Sequence, residues 1–405
     1  MEHIMTGECT DTSAVLYVHE NITSANAQQL QEEAEACLAS GTYTHIRFDL
    51  SDVGYISSAG LRVFLSVFNA GKQTGLSAGS FEITGVQPTV YETLEITGFT
   101  SMFTVTRAAK KVSLKNAALI GDGFFSKVYR IDNENIVKVY NENADNESMN
   151  RELQIAKYAL LLGLPTAISY DIVDADGQRG IIFEMMNCGS LRDAIRDNPD
   201  DIDFYIGQYA SLLMKLHATE DMNLILPDAR AQQFTALDAV SPLLAPEENV
   251  KIRGLLESIP ETDRIIHGDC HVKNIMIHNR EPFLIDLDTL SRGYPVIELG
   301  HLYYTYTAFE EMWPGNTEEF MGISVAQAEH IRDGLLAVYF AGVSPADFAA
   351  NLDRIRFVCW FRMLEFLVMF KPDEQEVIQK TLTNLRTYLN RIDSLTLIMR
   401  IAKND

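Results

Sequence analysis

The stretch Ile265–Leu290, IIHGDCHVKNIMIHNREPFLIDLDTL, constrains this chain more than any other. His267-Gly268-Asp269 is followed five residues on by Asn274, and an apolar run then leads to Asp286. Phosphoryl transfer needs a carboxylate near the acceptor hydroxyl and hard oxygen ligands for magnesium. Asp269, Asn274 and Asp286 supply that set in that order. A zinc site built from His267, Cys270 and His271 is the rival reading. Three ligands crowded into one short loop suit a tetrahedral ion poorly, so His271 is expected to brace the loop instead. Asp288 is a further acid with no assigned role.

Upstream, ALIGDGFFSKVYRI places Gly121, Gly123 and Ser126 between two strand-like runs. Glycines at such a turn let the backbone approach a polyphosphate closely. The next strand, Ile136–Tyr140, carries Lys138 between Val137 and Val139, and a lysine amid apolar neighbours is costly unless paired. The predicted helix 146–161 offers the partner. Met149, Leu153, Ala156 and Leu160 form its buried stripe, and Glu152 lies on that face. Glu147, near the helix start, reads as a surface acid favoured by the dipole. Ile181–Met186 (IIFEMM) is a buried-strand candidate followed by NCGSL and a helix.

Loop, Lys138, Glu152, HGDCHVKN and LIDLD together resemble the aminoglycoside phosphotransferase and choline kinase-like group, over about residues 117 to 375. The resemblance implies a two-lobed, protein-kinase-like fold across 117–405, with an N-lobe at 117–188 and a helical C-lobe at 189–405. It further implies ATP and Mg2+ as cofactors. Gly121, Gly123 and Ser126 would cover the phosphates, Lys138 would hold them, and Glu152 would pair with Lys138. The backbone from Glu184 to Met186 would meet the adenine edge. Asp269 would be the catalytic base, and Asn274 and Asp286 the metal ligands. The chain departs from the group at one point. Where an Asp-Leu-Ala-like anchor is common, it has Glu298-Leu299-Gly300.

The first 110 residues alternate strand and helix, as in a small α/β domain with a sheet covered by helices. Strands are expected at Ser13–His19, His45–Leu50, Phe81–Ile83 and Phe103–Val105. Helices are expected at Ser24–Ala39, with Ser24 as N-cap, after Ser57-Ser58, and near Thr89–Ile96. Leu61, Phe64, Leu65 and Phe68 form one helical face. FDLSDVGYISSAGLRVFL and the later ITGVQPTVYETLEITGF resemble the STAS domain of bacterial anti-sigma factor antagonists, over about residues 10 to 108. The resemblance makes Ser58 the regulatory phosphorylation site, with Ser57 where many members carry Asp. A phosphate on Ser58 would meet free backbone N–H groups at a helix start. The competing reading makes Ser57 or Ser58 only a helix cap. Ala108–Asn116 reads as a linker.

The net charge of −23 argues against a nucleic-acid partner. Five scattered cysteines without a CxxC pair exclude a zinc ribbon, speak against a disulfide framework and fit a reducing cytoplasm. The start has no secretory pattern. Phe357–Phe370 falls short of the roughly 20 apolar residues that a membrane span needs. The expected function is an ATP- and magnesium-dependent phosphotransferase acting on a hydroxyl of a small molecule, under a STAS regulatory domain. A cationic acceptor would suit an aromatic cage in His301–Trp313, which otherwise reads as a buried helix face. The alternative is an anti-sigma factor antagonist-like signalling protein, partnered by an anti-sigma factor or a serine kinase. Its kinase domain would then phosphorylate a protein serine such as Ser58, or only sense nucleotide.

Overall fold

The computed structural model describes residues 3–399 except 40, 42, 73, 74, 109, 124, 125 and 142–145, and the backbone alone at Asn146 and Glu147. The chain forms two compact units, Met1–Val112 and Ser113–Asp405.

In the first unit β1 (Met5–Cys9) pairs antiparallel with β2 (Ser13–Val18). β3 (His45–Asp49), β4 (Phe81–Val86) and β5 (Thr104–Arg107) then follow in order, all parallel to β2. The helices are α1 (Ala27–Leu38), α2 (Ser58–Lys72), α3 (Pro88–Ile96) and α4 (Phe99–Met102). Alternation along β2 buries Ala14, Leu16 and Val18, and α2 turns Leu61, Phe64 and Phe68 inward. Phe48, Phe64, Phe68, Phe81, Phe99 and Phe103 form one cluster of edge-on and tilted rings beneath the helices. Offset and edge-on rings exploit the aromatic quadrupole while filling the core.

One strand was not expected, and one helix start needs correction. β1 has no apolar alternation, and only Met5 on it is buried, so nothing in its sequence announces a strand. It exists because β2 offers an edge to pair with. The first helix begins at Ala27 and not near Ser24, with Asn26 at the cap position. The Asn26 Oδ1 accepts the Thr23 N–H at 2.7 Å, which fixes a turn over the residues read as the first helical turn.

The stretch read as linker contains a short strand, β6 (Lys110–Val112). In the second unit β7 (Ala118–Asp122), β8 (Ser126–Arg130), β9 (Asn135–Tyr140), β10 (Ser169–Ala175) and β11 (Gln178–Glu184) lie side by side in the order β10-β11-β9-β8-β7, antiparallel throughout. Between β9 and β10 runs α5 (Asn146–Leu161). Its inner face holds Met149, Leu153 and Ala156 but not Leu160, which is 42% exposed. Ile155, Tyr158 and Ala159 are buried in its place, because the helix packs against a second layer as it leaves the sheet.

The rest is mainly helical. After β12 (Gly189–Ser190) come α6 (Leu191–Asp197), α7 (Ile202–Ala218), α8 (Ala229–Val240) and α9 (Pro246–Glu257). A stretch of short strands follows: β13 (Ile265–Ile266), β14 (Ile275–His278), β15 (Glu281–Leu284) and β16 (Ser291–Arg292). α10 (Pro295–Tyr303), α11 (Phe309–Met312), α12 (Val325–Tyr339), α13 (Pro345–Phe370) and α14 (Gln375–Leu389) complete it. α13 is the spine of this layer, with Phe357, Trp360, Phe361 and Leu364 buried. Among the described residues no helix is long and apolar enough to cross a membrane.

Candidate active site

The hairpin β14–β15 explains why residues far apart in HGDCHVKN and LIDLD meet. Ile275 lies opposite Leu284, and the Ile285 N–H donates to the Asn274 carbonyl at 3.0 Å. Asn274 and Asp286 therefore emerge side by side at the open end. The Asn274 amide donates to the Asp269 backbone carbonyl at 3.0 Å and to its carboxylate at 3.1 Å. That commits the amide nitrogen and leaves the amide oxygen as a hard donor. Asp286 has a left-handed φ of 61°, which a non-glycine residue adopts only when its surroundings impose it.

Lys138 on β9 reaches the same point. Its ammonium donates to Glu152 at 2.8 Å and to Asp286 at 2.6 Å. Burial opposes this charge, but Asp286 and Glu152 outweigh it and hold the lysine above its ordinary value. Against burial, Lys138 in turn keeps Asp286 below the usual carboxylate range. For Asp288 burial and then Asp286 outweigh the opposing Lys138 charge and push its carboxyl up to about 7. Asp269 keeps 46% of its side-chain surface open. The surrounding wall nevertheless raises it to about 6, with His267 opposing and Asp286 and Glu298 reinforcing the shift.

The zinc alternative finds no support in these orientations. His267 faces the Ile285 carbonyl at 3.1 Å, and His271 lies 3.6 Å from the Asp269 carboxylate. Cys270 is buried, its carbonyl bonded by the Tyr209 hydroxyl. Among the described residues no three His, Cys, Asp or Glu side chains gather as a metal-holding group. His271 is also buried, and desolvation drives it down to about 3, so it stands neutral beside Asp269.

Glu298 takes the place of the Asp-type anchor. Its carboxylate accepts the backbone N–H groups of His267 and of Gly268, the latter at 3.1 Å. Burial alone would raise it, yet His217, His267 and these N–H donors bring it down to about 2. The Thr289 hydroxyl donates to the His267 carbonyl at 2.8 Å, and His301 Nδ1 bonds the Gly268 carbonyl at 2.8 Å. Gly268 itself has φ 84° and lies so close to Thr289 that an added Cβ would sit 2.9 Å from the Thr289 carbonyl oxygen. The sequence placed Glu298 where the anchor is common but, as a departure from it, with no assigned bond, and it gave His301 no role of its own.

Gly121, Gly123 and Ser126 frame the β7–β8 turn, and the Gly123 N–H donates to the Ser126 carbonyl at 2.9 Å. Phe124 and Phe125 lie outside the described residues, as does the side chain of Glu147. Glu184 ends β11, and the Met185 N–H donates to the Glu134 carbonyl at 2.7 Å. Beside Gly268 and Asp288 opens a cleft of about 1060 Å³, walled by Arg151, Gln233, His301, Arg362 and Glu365. Arg362 is tied to Glu365 at 2.6 Å. Among the described residues none of the rings from Tyr303 to Trp313 lines this cleft. Tyr304, Phe309 and Trp313 pack on one another and on Phe366, and Lys371 already covers the Trp313 face at 4.6 Å. The expected cage is therefore a half-buried helix face packed on its own rings.

In the first unit the two serines differ in setting. Ser57 is buried, and its hydroxyl accepts the Gly60 N–H at 3.3 Å, as a cap does. Ser58 is the first residue of α2 and is exposed. Gly60 lets α2 start against the sheet, because a Cβ there would sit 2.4 Å from Ile22.

Residues 116–334 match the family model described as "Phosphotransferase enzyme family", and residues 6–112 match that of the STAS domain. A Bordetella bronchiseptica protein that carries the name of an anti-sigma factor antagonist, BtrV, is 40% identical over 98 residues, 24% of this chain and 81% of that protein. Among solved structures, ADP-bound aminoglycoside phosphotransferase APH(2'')-Ib is 15% identical with a TM-score of 0.46, over 68% of this chain and 94% of the other. A choline/ethanolamine kinase family protein from Mesorhizobium loti is 13% identical with a TM-score of 0.44, over 67% of this chain and 87% of the other.

Proposed function

Because the chain belongs to the phosphotransferase enzyme family and carries a STAS domain ahead of that region, we propose that it moves the γ-phosphoryl group of ATP to a hydroxyl of a small molecule and that the STAS domain regulates it. The observation that carries this reading is the convergence of Lys138, Glu152 and Asp286 within hydrogen-bond distance, beside the Asp269–Asn274 pair.

Each residue then has a physical task. Lys138, oriented by Glu152, neutralises the nucleotide phosphates. The Gly121–Ser126 turn brings backbone close to them, and the Glu184–Met186 backbone meets the base. Asp269 accepts a hydrogen bond from the acceptor hydroxyl and takes its proton as the new P–O bond forms and the bond from the γ-phosphorus to the bridging oxygen breaks, ADP leaving with the electron pair. Asn274, through its uncommitted amide oxygen, and Asp286 are the hard donors for Mg2+. Magnesium at that position would supply charge neutralisation on the transferring phosphates. Glu298, His301 and Thr289 hold the His267–Gly268 backbone that leads into Asp269.

The acceptor enters through the cleft beside Asp288. The Arg362–Glu365 pair and Gln233 on its wall suit a polar hydroxylated molecule, and the missing aromatic cage removes the main argument for a cationic one. Ser58 is the proposed phosphorylation site through which a protein partner, an anti-sigma factor or a serine kinase, reads the STAS domain. Its exposure supports that role.

Incubation with labelled ATP and Mg2+, followed by mass spectrometry of the chain, tests both parts. Turnover that depends on an added hydroxylated small molecule supports the metabolite reading. Label accumulating on Ser58 without any added acceptor would instead make the enzyme a kinase of its own STAS domain.

A further inference from the structure

The end of β1 and the last turn of α1 bring two thiols together that lie 28 residues apart in sequence. The Cys9 and Cys37 sulfurs are 3.4 Å apart, in van der Waals contact. Room for this contact is made by Gly7. A Cβ built on Gly7 would fall 2.3 Å from the Cys37 sulfur, so only a residue without a side chain lets Cys37 lie against the strand. Cys9 is exposed, whereas Cys37 is half-buried. A disulfide needs sulfurs about 2.05 Å apart, a closure within reach of side-chain rotation at a strand end and a helix end.

We propose that Cys9 and Cys37 form a reversible oxidative modification site in the N-terminal unit, taking a low-molecular-weight disulfide such as glutathione disulfide as its oxidant. The accessible Cys9 thiolate attacks one sulfur of the glutathione disulfide, forming a mixed disulfide and releasing one glutathione thiolate. Cys37 then loses its proton to solvent and attacks the Cys9 sulfur, releasing the second glutathione. Two protein thiols are oxidised and one disulfide is reduced to two thiols. Burial and the neighbouring Cys9 thiol push Cys37 up to about 11, which agrees with Cys9 acting first and Cys37 resolving. The closed bond would tie the edge strand β1 to α1 and remove freedom from the unfolded chain. Thiol reductants reverse it. Neither Ser58 nor any residue of the second unit takes part.

The test uses the full chain in glutathione redox buffers of increasing oxidation, with thiol alkylation and peptide mass spectrometry. The expected product is one peptide pair linked through Cys9 and Cys37, lighter by two hydrogens, lost on reduction. It should raise the melting temperature of the N-terminal transition. Cys37→Ser should stop at a glutathione adduct on Cys9, whereas Cys9→Ser should leave Cys37 largely unmodified. Gly7→Ala, whose methyl group displaces the Cys37 sulfur, should demand a buffer roughly tenfold more oxidising for the same linked fraction. Circular dichroism of each variant separates a lost bond from a lost fold. Separate adducts on both cysteines with no linked peptide would overturn the proposal. So would disulfides between two copies of the chain, or a Gly7→Ala response equal to that of the folded wild type.

Discussion

The corner at Ser57 and the corner at Asp269 both place a polar side chain at a tight turn, and they differ in how many distant groups hold them. At Ser57 one bond is long-range, from its N–H to the Ile22 carbonyl at 2.8 Å, and the others are local: its hydroxyl meets the Gly60 N–H and its carbonyl meets the Leu61 N–H. Around Asp269 the bonds arrive from far along the chain. Glu298 accepts from His267 and Gly268, Thr289 donates to His267, and His301 closes on Gly268. Losing the Ser57 hydroxyl removes one capping bond and leaves the backbone bonds of the turn in place, so its cost is modest. A corner held by buried distant groups leaves a polar atom stranded with each loss.

The largest expected effect tests what the second corner is for. Asp269→Asn should lower kcat by about 10²- to 10⁴-fold while nucleotide still raises the melting temperature. Steady-state kinetics and thermal shift decide it; wild-type turnover would remove Asp269 from the base role and leave the corner without a chemical purpose.

Next comes the anchor itself. Glu298 stands at about 2 in the fold against an ordinary 4.5, so its folded-state value is depressed. The stability it supplies is complete above about 4.5 and is lost as pH falls from there through about 2, with a total of about 3 kcal/mol. Denaturant unfolding at neutral pH should show Glu298→Gln weaker by that amount. On going to pH 3 the wild type should lose about 2 kcal/mol more than the variant. Parallel acid losses in the two proteins would mean that the charge does not hold the corner.

The smallest effects belong to the first corner and sharpen its division of labour. Ser57→Ala should cost about 1 kcal/mol, the usual value of a lost helix cap. Ser58→Ala and Ser58→Asp should each stay within about 0.5 kcal/mol of wild type, since Ser58 is exposed at the first helical position. A pull-down should nevertheless recover less partner protein with Ser58→Asp than with Ser58→Ala. Equal recovery would leave Ser58 a surface residue of no regulatory consequence, and a large loss on Ser58→Ala would show that the cap had been placed on the wrong serine.

The boundary between what could be read early and what could not follows the same line. Strand alternation in SAVLYV and the helical face Leu61, Phe64 and Phe68 were legible because side-chain period alone decides which face is buried. Asp269, Asn274 and Asp286 could be singled out because a carboxylate and two hard oxygen donors follow one another in the order that phosphoryl transfer needs. Glu152 could be matched to Lys138 because both stood on apolar faces that tolerate a charge only in a pair. β1 was not legible, since an edge strand with one buried residue has no pattern of its own, and Ser24 looked like a cap until the Thr23–Asn26 bond delayed the helix. The aromatic segment His301–Trp313 has the same composition whether its rings face a ligand or one another.

The amino-acid order by itself therefore determined the things that local physics governs: a small α/β unit ahead of a second unit of strands then helices, their main elements, a glycine-bearing turn, and charged residues on apolar faces. The tertiary structure alone decided that Glu298 holds the HGD corner, that the rings after His301 turn inward, that Ser57 and not Ser58 caps its helix, and that Cys9 meets Cys37. Each of these depends on which distant surface a side chain meets, and burial converts that meeting from a negligible contact in water into several kcal/mol.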